Sequence, residues 1–244
     1  MKNTISTNRF HASILSLFVI TAFLFNSCSK EQSKIEMENI EETENEEETQ
    51  SEEAEVCKIV EKDGLLILEA ESFDLKGKWR VVEDEKASGG KYIEYYGSNS
   101  YNSQNLTHEI SIKFTINGAS KYLVKWYMRQ PDEAEGDKSN DVWIYFPNNY
   151  GRAWVNDQSV VLEQYEKFVS RGKGDFAYGG VLDLHNPKAS SWYNVEFPAA
   201  GEYSLKICAR SEFFQLDKIV LSKGMTNEVA MEKSKSRTET ISCE

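Results

Sequence analysis

The sequence predicts an all-β domain, a sandwich of two antiparallel sheets, on three observations. From Leu65 onward, apolar residues recur at every second position, the period of a strand with one buried face. Turn residues punctuate these runs at short intervals, as at Ser88-Gly-Gly90, Asn117-Gly118 and Pro198 with Gly201. Eight or nine such runs fall within roughly 165 residues, which suits two packed sheets.

The first run, Leu65-Leu-Ile-Leu-Glu69-Ala-Glu71, carries four aliphatic residues into two glutamates. As a strand it would aim Glu69 and Glu71 at one face, with Cα atoms roughly 7 Å apart. Two like charges there repel unless water or a cation takes them up, so the pair reads as a solvated strand end or as ligands for a hard cation. Lys91-Tyr-Ile-Glu-Tyr-Tyr96 follows the Ser88 turn. His108 to Ile116 alternates with Ile110, Ile112, Phe114 and Ile116 on one face. Tyr122 to Arg129 does the same with Tyr122, Val124, Trp126 and Met128. Val142-Trp-Ile-Tyr-Phe146 is apolar on both faces. Tyr193 to Phe197, Tyr203 to Ala209 and Phe214 to Leu221 complete the set. Residues 57–224 thus form the expected domain, and 225–244 read as a loose polar tail unless Cys243 ties it down.

The net charge of −12 is local rather than general. Glu31 to Val56 holds twelve Glu and one Lys, a balance of −11; with the +3 of Met1 to Lys30 set aside, Cys57 to Glu244 carries about −4. No basic face forms, so nucleic acid is not an expected partner. Residues 28–56 have few apolar side chains and strong self-repulsion, and read as a disordered tether. Before them, Lys2 and Arg9 precede an apolar run from Ile14 to Phe25, too short for the about twenty residues of a spanning helix. Residues 1–27 therefore read as a secretory signal. Cys28 after Ser27 resembles the lipobox of bacterial lipoproteins, whose Cys is lipidated, although Phe25-Asn26 departs from the usual pattern. The acidic start of the tether resembles export tags of surface lipoproteins. Together these imply an outer-membrane protein, anchored through Cys28 and displayed at the cell surface. Cys57 and Cys243 bracket the domain and could clasp its ends in an oxidising compartment; Cys208 reads as a buried small hydrophobe.

Several stretches match one family in type and order: Leu68-Glu-Ala-Glu-Ser-Phe73, Ala87-Ser-Gly-Gly-Lys-Tyr-Ile93, Asn140-Asp-Val-Trp143, Gly201-Glu-Tyr-Ser-Leu205, and Arg210-Ser211 followed by Phe214-Gln-Leu-Asp-Lys-Ile-Val-Leu221. Over Gly64 to about Leu221 the sequence resembles the carbohydrate-binding modules of families 6 and 35, which are galactose-binding-like β-jelly rolls. The resemblance implies a structural calcium held by Glu69, Glu71 and Asp217. It also implies sugar contacts from the loops before the Val142 and Phe214 strands, and Pro131 to Asp141 and Pro147 to Trp192 read as loops long enough to carry such groups. By that analogy Phe176, Tyr178 and Trp192 are expected to stack on sugar rings, and Tyr96 and Asn140 to contribute polar contacts. The alternative for Trp154 and Trp192 is core packing. Phe176-Ala-Tyr178 follows the family's aromatic-x-aromatic pattern only loosely, and Glu212 stands near where relatives often place Asn.

The expected function is non-catalytic polysaccharide or oligosaccharide binding, serving glycan-degrading enzymes or a glycan transporter. An alternative is a small jelly-roll lyase or hydrolase. Asp132, Glu133, Glu135, Asp137 and Asp141 could supply a glycosidase pair, but one loop rarely sets the required separation across a cleft. Tyr178, His185 and Arg171 are the candidates for a lyase base and neutraliser. A protein-adhesion module is the third class.

Overall fold

A computed structural model describes residues 57–170, 172–185, 188–235 and 239–243. The signal, Cys28, the acidic tether and Arg171 lie outside them. Among the described residues no helix is long and apolar enough to cross a membrane.

In chain order the strands begin with β1 (Cys57–Ile59), β2 (Leu65–Glu69), β3 (Trp79–Glu83), β4 (Lys91–Tyr95), β5 (Glu109–Ile116), β6 (Ser120–Arg129) and β7 (Asp141–Tyr145). Next come β8 (Gly151–Val155), β9 (Gln158–Leu162), β10 (Glu166–Val169), β11 (Ala177–Gly179), β12 (Val181–His185) and β13 (Lys188–Ser191). The chain closes with β14 (Asn194–Phe197), β15 (Gly201–Ala209), β16 (Gln215–Ser222), helix α1 (Asn227–Lys235) and β17 (Ile241–Cys243). This is the all-β sandwich expected, consistent with a jelly roll. One sheet runs β13-β12-β10-β7-β15-β5; the other runs β3-β4-β16-β6-β14-β8-β9, with β2 on β16 and β11 on β6.

The two sheets share one core, where Ile110, Ile112, Phe114 and Ile116 of β5 meet Tyr122, Val124, Trp126 and Met128 of β6. Those are the two alternating sets read from the sequence. Their partners Lys125, Tyr127 and Arg129 therefore point away from the core, onto the outer face of the larger sheet.

Three expectations need correction. β2 ends at Glu69, and Glu71 lies in a 3-10 turn, Ala70–Ser72, rather than in the strand. Residues 147–192, read as a long loop, contain β8 to β13; their runs are too short for alternation to stand out. Asn156 and Asp157 both have positive φ, which marks a two-residue hairpin between β8 and β9. The described part of the tail, 225–235 and 239–243, is not loose. α1 buries Ala230 beside Leu65, Tyr127 and Val220, and Tyr127 donates its hydroxyl to Met231 O at 3.2 Å. β17 pairs with β1, placing Cys243 opposite Cys57, and Cys57 is disulfide-bonded.

Candidate functional site

Leu66 and Leu68 take the inner face of β2, so Glu69 is turned outward, opposite Lys218 on β16. Between Leu216 and Lys218 the register of β16 against β6 slips, with Asp217 as the extra residue. Strict alternation after Leu216 would have driven Lys218 into the core. The bulge instead leaves Asp217 and Lys218 beside Glu69 and returns Ile219 to the interior.

Ser88, in the turn Ser88–Gly90, ties this group together. Its N–H donates to Asp217 Oδ2 at 2.9 Å, and its hydroxyl donates to Glu69 Oε1 at 3.2 Å. Lys218 Nζ donates to the Ser88 hydroxyl at 2.8 Å and stands 3.5 Å from Glu69 Oε1. Gly89 has φ 61°, and a Cβ there would come within 3.3 Å of Glu71 Oε1, so the turn closes on that carboxylate. Burial pushes the Glu69 carboxyl up to about 7, against the pull of Lys218 and with the Asp217 and Glu71 charges adding. Burial likewise pushes Asp217 up to about 6.

Three carboxyls thus face one buried ammonium, and Glu69 Oε2, Glu71 Oε2 and Asp217 Oδ1 are buried without a hydrogen-bond partner. Among the described residues no three His, Cys, Asp or Glu side chains already converge as a metal centre. What the cluster offers is surplus carboxylate oxygen at low solvent access. That donor chemistry fits a hard cation.

A second feature is a rim built from two loops. Ser100 N–H donates to Arg210 O at 2.8 Å, Glu212 N–H to Asn99 Oδ1 at 2.8 Å, and Phe213 N–H to Tyr95 O at 2.7 Å. These bonds zip residues 95–101 to residues 210–213. Gly97 is required, because a Cβ there would lie 2.4 Å from the Tyr95 hydroxyl oxygen. Tyr96, Tyr101 and Phe213 stand exposed on the rim. Arg210 is buried against Tyr101 and Trp143, paired with Asp141, which also accepts from the Ser211 hydroxyl. Lys167 Nζ lies 3.6 Å from Asp141 Oδ2 and 2.8 Å from Asp183 Oδ2. The result is a buried charged cluster under the Tyr101 ring, with Tyr96 and Phe213 exposed on the same two loops.

Among solved structures, several are similar to this chain. The chain is similar to a family 35 carbohydrate-binding module from Clostridium thermocellum, with TM-score 0.40 and 15% identity over 64% of this chain and 97% of that one. It is also similar to the C-terminal family 6 module of a marine laminarinase from Zobellia galactanivorans, with TM-score 0.37 and 14% identity over 65% and 99%. A third likeness is to an exo-β-1,3-galactanase from Phanerochaete chrysosporium, with TM-score 0.37 and 18% identity. It covers 66% of this chain but only 30% of that enzyme. No family model and no curated protein matches the sequence.

The residues expected to touch sugar fall in three places. Tyr96 is on the rim, with Lys78 Nζ and the Arg80 guanidinium each 5.3 Å from its ring. Asn140 is buried just before β7; Ser170 N–H donates to its backbone oxygen, and its side-chain amide nitrogen has no partner. Phe176 is wedged between Tyr92 and Arg129, with ring centroids 5.4 Å apart and the guanidinium 4.6 Å away. Tyr178 packs on Tyr127 at 5.3 Å. Trp192 is half exposed, as is Trp154, so neither is core. Sequence reading missed Tyr101 and Phe213. The Phe213-Phe214 doublet before a strand was the available signal, since only one of two successive rings can face the core.

The residues considered for chemistry do not assemble. Asp132, Glu133, Glu135 and Asp137 are exposed along turns, while Asp141 is engaged by Arg210, Ser211 and Lys167. Tyr178 and His185 line different cavities.

Proposed function

We propose that this chain is a lipid-anchored surface protein whose β-sandwich binds polysaccharide without cutting it. The observation that carries the reading is the rim: Tyr96, Tyr101 and Phe213 exposed on two zipped loops, with the Arg210–Asp141 pair behind Tyr101. Open aromatic faces take the C–H surface of a pyranose, and nearby charged and polar groups take its hydroxyls. The sequence motifs resembling carbohydrate-binding modules support the same reading. Calcium would be held by Glu69, Glu71 and Asp217, where it would neutralise surplus negative charge and fasten β2 to β16. Cys28 would carry the lipid in the outer membrane, the acidic tether would extend the domain outward, and captured glycan would pass to degrading enzymes or a transporter. The test is a glycan array on the purified protein, followed by product analysis of each hit. Bound, uncut glycan is expected; new reducing ends or unsaturated products would replace this reading with catalysis. An array without hits would favour protein adhesion.

A further inference from the structure

Alternation along β6 sends Val124 and Trp126 into the core and Lys125 outward, toward α1. There Lys125, Val181, Trp192 and Met231 help line a cavity of about 470 Å³ between β6, the β11–β12 junction and α1, within the size range of small-molecule sites. Gly180 shapes the junction, since its φ is 127° and a Cβ there would run into the Phe168 ring. Its carbonyl accepts from Lys125 Nζ at 2.8 Å, and that Nζ sits 3.5 Å from the Trp192 ring centroid. An ammonium carries three donors, so this leaves donors over. Lys125 is only 3% exposed. No carboxylate among the described residues balances it; burial alone draws its pKa down to about 8. A buried ammonium without a counter-charge is costly, and an anion that enters removes the cost.

The rest of the wall is apolar. Val169, Val181, Met231 and the Tyr178 ring line it, and Trp192 keeps half its surface open. Beyond Lys125 and the exposed Glu228, the polar side chains lining it are those of Ser170, Tyr178 and Asn227. These are too few to satisfy a ligand rich in hydroxyls, each of which costs free energy when buried without a partner. A hydrocarbon body, by contrast, gains by leaving water for such a wall.

We propose that this cavity binds a small monocarboxylate with an apolar body, its carboxylate on the Lys125 ammonium and its hydrocarbon part against Val181, Met231 and Trp192. The carboxylate completes a charge-assisted hydrogen bond that no side chain of the wall supplies. The site shares no residue with the rim, and it stands whether or not the rim binds glycan.

Calorimetric titration of the full-length protein with hexanoate, hexanamide and gluconate tests this, since the three share one chain length and differ in charge or in hydroxylation. Hexanoate should bind about ten-fold more tightly than hexanamide, a difference of about 1.4 kcal/mol. It should also bind about ten-fold more tightly than gluconate, whose hydroxyls find few partners. A bound carboxylate keeps Lys125 protonated, so at about pH 8.5 hexanoate should take up protons as it binds, read as an enthalpy that varies with the buffer. The other titratable groups lining the cavity stay silent there. Glu228 is held below the usual carboxylate range by its own backbone and the Thr226 hydroxyl, and burial holds Tyr178 above the usual phenol range. Lys125→Met should erase both the preference for acid over amide and the proton uptake. Trp192→Ala, at an exposed position, should weaken hexanoate binding several-fold while the urea midpoint stays near wild type. Equal binding of hexanoate and hexanamide overturns the proposal, as does proton uptake unchanged in Lys125→Met. Gluconate binding as tightly as hexanoate overturns the apolar body, and no binding of hexanoate at millimolar concentration overturns the site. Should Lys125→Met fail to fold, the acid–amide comparison and the proton uptake of wild type, with Trp192→Ala, decide the matter.

Discussion

Arg210 lies with its guanidinium carbon 4.9 Å from the Tyr101 ring and 5.0 Å from the Trp143 ring, and Asp141 is its counter-charge. Removing one member of a buried pair strands the other, so Asp141→Asn should destabilise the domain by about 3–5 kcal/mol. Tyr101 is open to solvent, so Tyr101→Ala should change stability by less than about 1 kcal/mol. The same substitution should weaken glycan binding by about ten-fold, since exposed aromatic anchors dominate such contacts. Urea denaturation and calorimetric titration of the two variants separate support from contact. A Tyr101→Ala protein that binds glycan as tightly as wild type would move the site away from the rim.

Among the elements, the bulge in β16 decides where charge collects. It brings Asp217 and Lys218 to one face beside Glu69. If a cation takes the surplus oxygens, about 1 mM calcium should raise the melting temperature of chelator-treated protein. Asp217→Asn should abolish that rise; a calcium response unchanged by the substitution would place the ion elsewhere. β6 yields a separate pH prediction. Burial draws Lys125 down to about 8 from its usual 10.5. Between those values the unfolded chain keeps the proton that the folded chain has lost, so stability from this group rises with pH. Below about 8 the buried charge costs on the order of 3 kcal/mol. Lys125→Met should therefore flatten the stability profile between pH 8 and 10.5 relative to wild type, as read by urea midpoints. The long strands were legible in the sequence because β5 and β6 alternate cleanly over eight and ten residues. The bulge was not, since an Asp-Lys pair within an apolar run also fits a strand with one wet face. Phe176 and Tyr178 looked like open stackers because the sequence does not reveal that α1 covers the outer face near Tyr178. The Glu69, Glu71 and Asp217 grouping was anticipated only through family resemblance; periodicity alone joins Glu69 to Glu71 and is silent on Asp217.

For the whole molecule, the closing segment links the termini of the domain to the carboxylate cluster. Val60 N–H donates to Thr240 O at 2.7 Å, and Thr240 N–H donates to Ile67 O at 3.3 Å. One residue earlier, Glu239 Oε1 accepts from Ser72 Oγ at 2.7 Å and from Glu69 N–H at 3.3 Å. The disulfide at Cys57 sits on the two-stranded ladder that anchors this segment. A cross-link closing a long stretch of chain limits the unfolded ensemble, a gain of about 2–4 kcal/mol. Cys57→Ser should lose that amount and lower the melting temperature by roughly 5–15 °C, with reductant reproducing the effect in wild type and adding nothing to the variant. The same substitution should free Glu239 from the turn that carries Glu71, and so loosen the cluster around Glu69. Calcium affinity measured by titration should then fall several-fold, while glycan binding at the rim, built from residues 95–101 and 210–213, stays near wild type. A Cys57→Ser protein with unaltered calcium affinity would mean that the clasp stabilises the domain without organising the cluster.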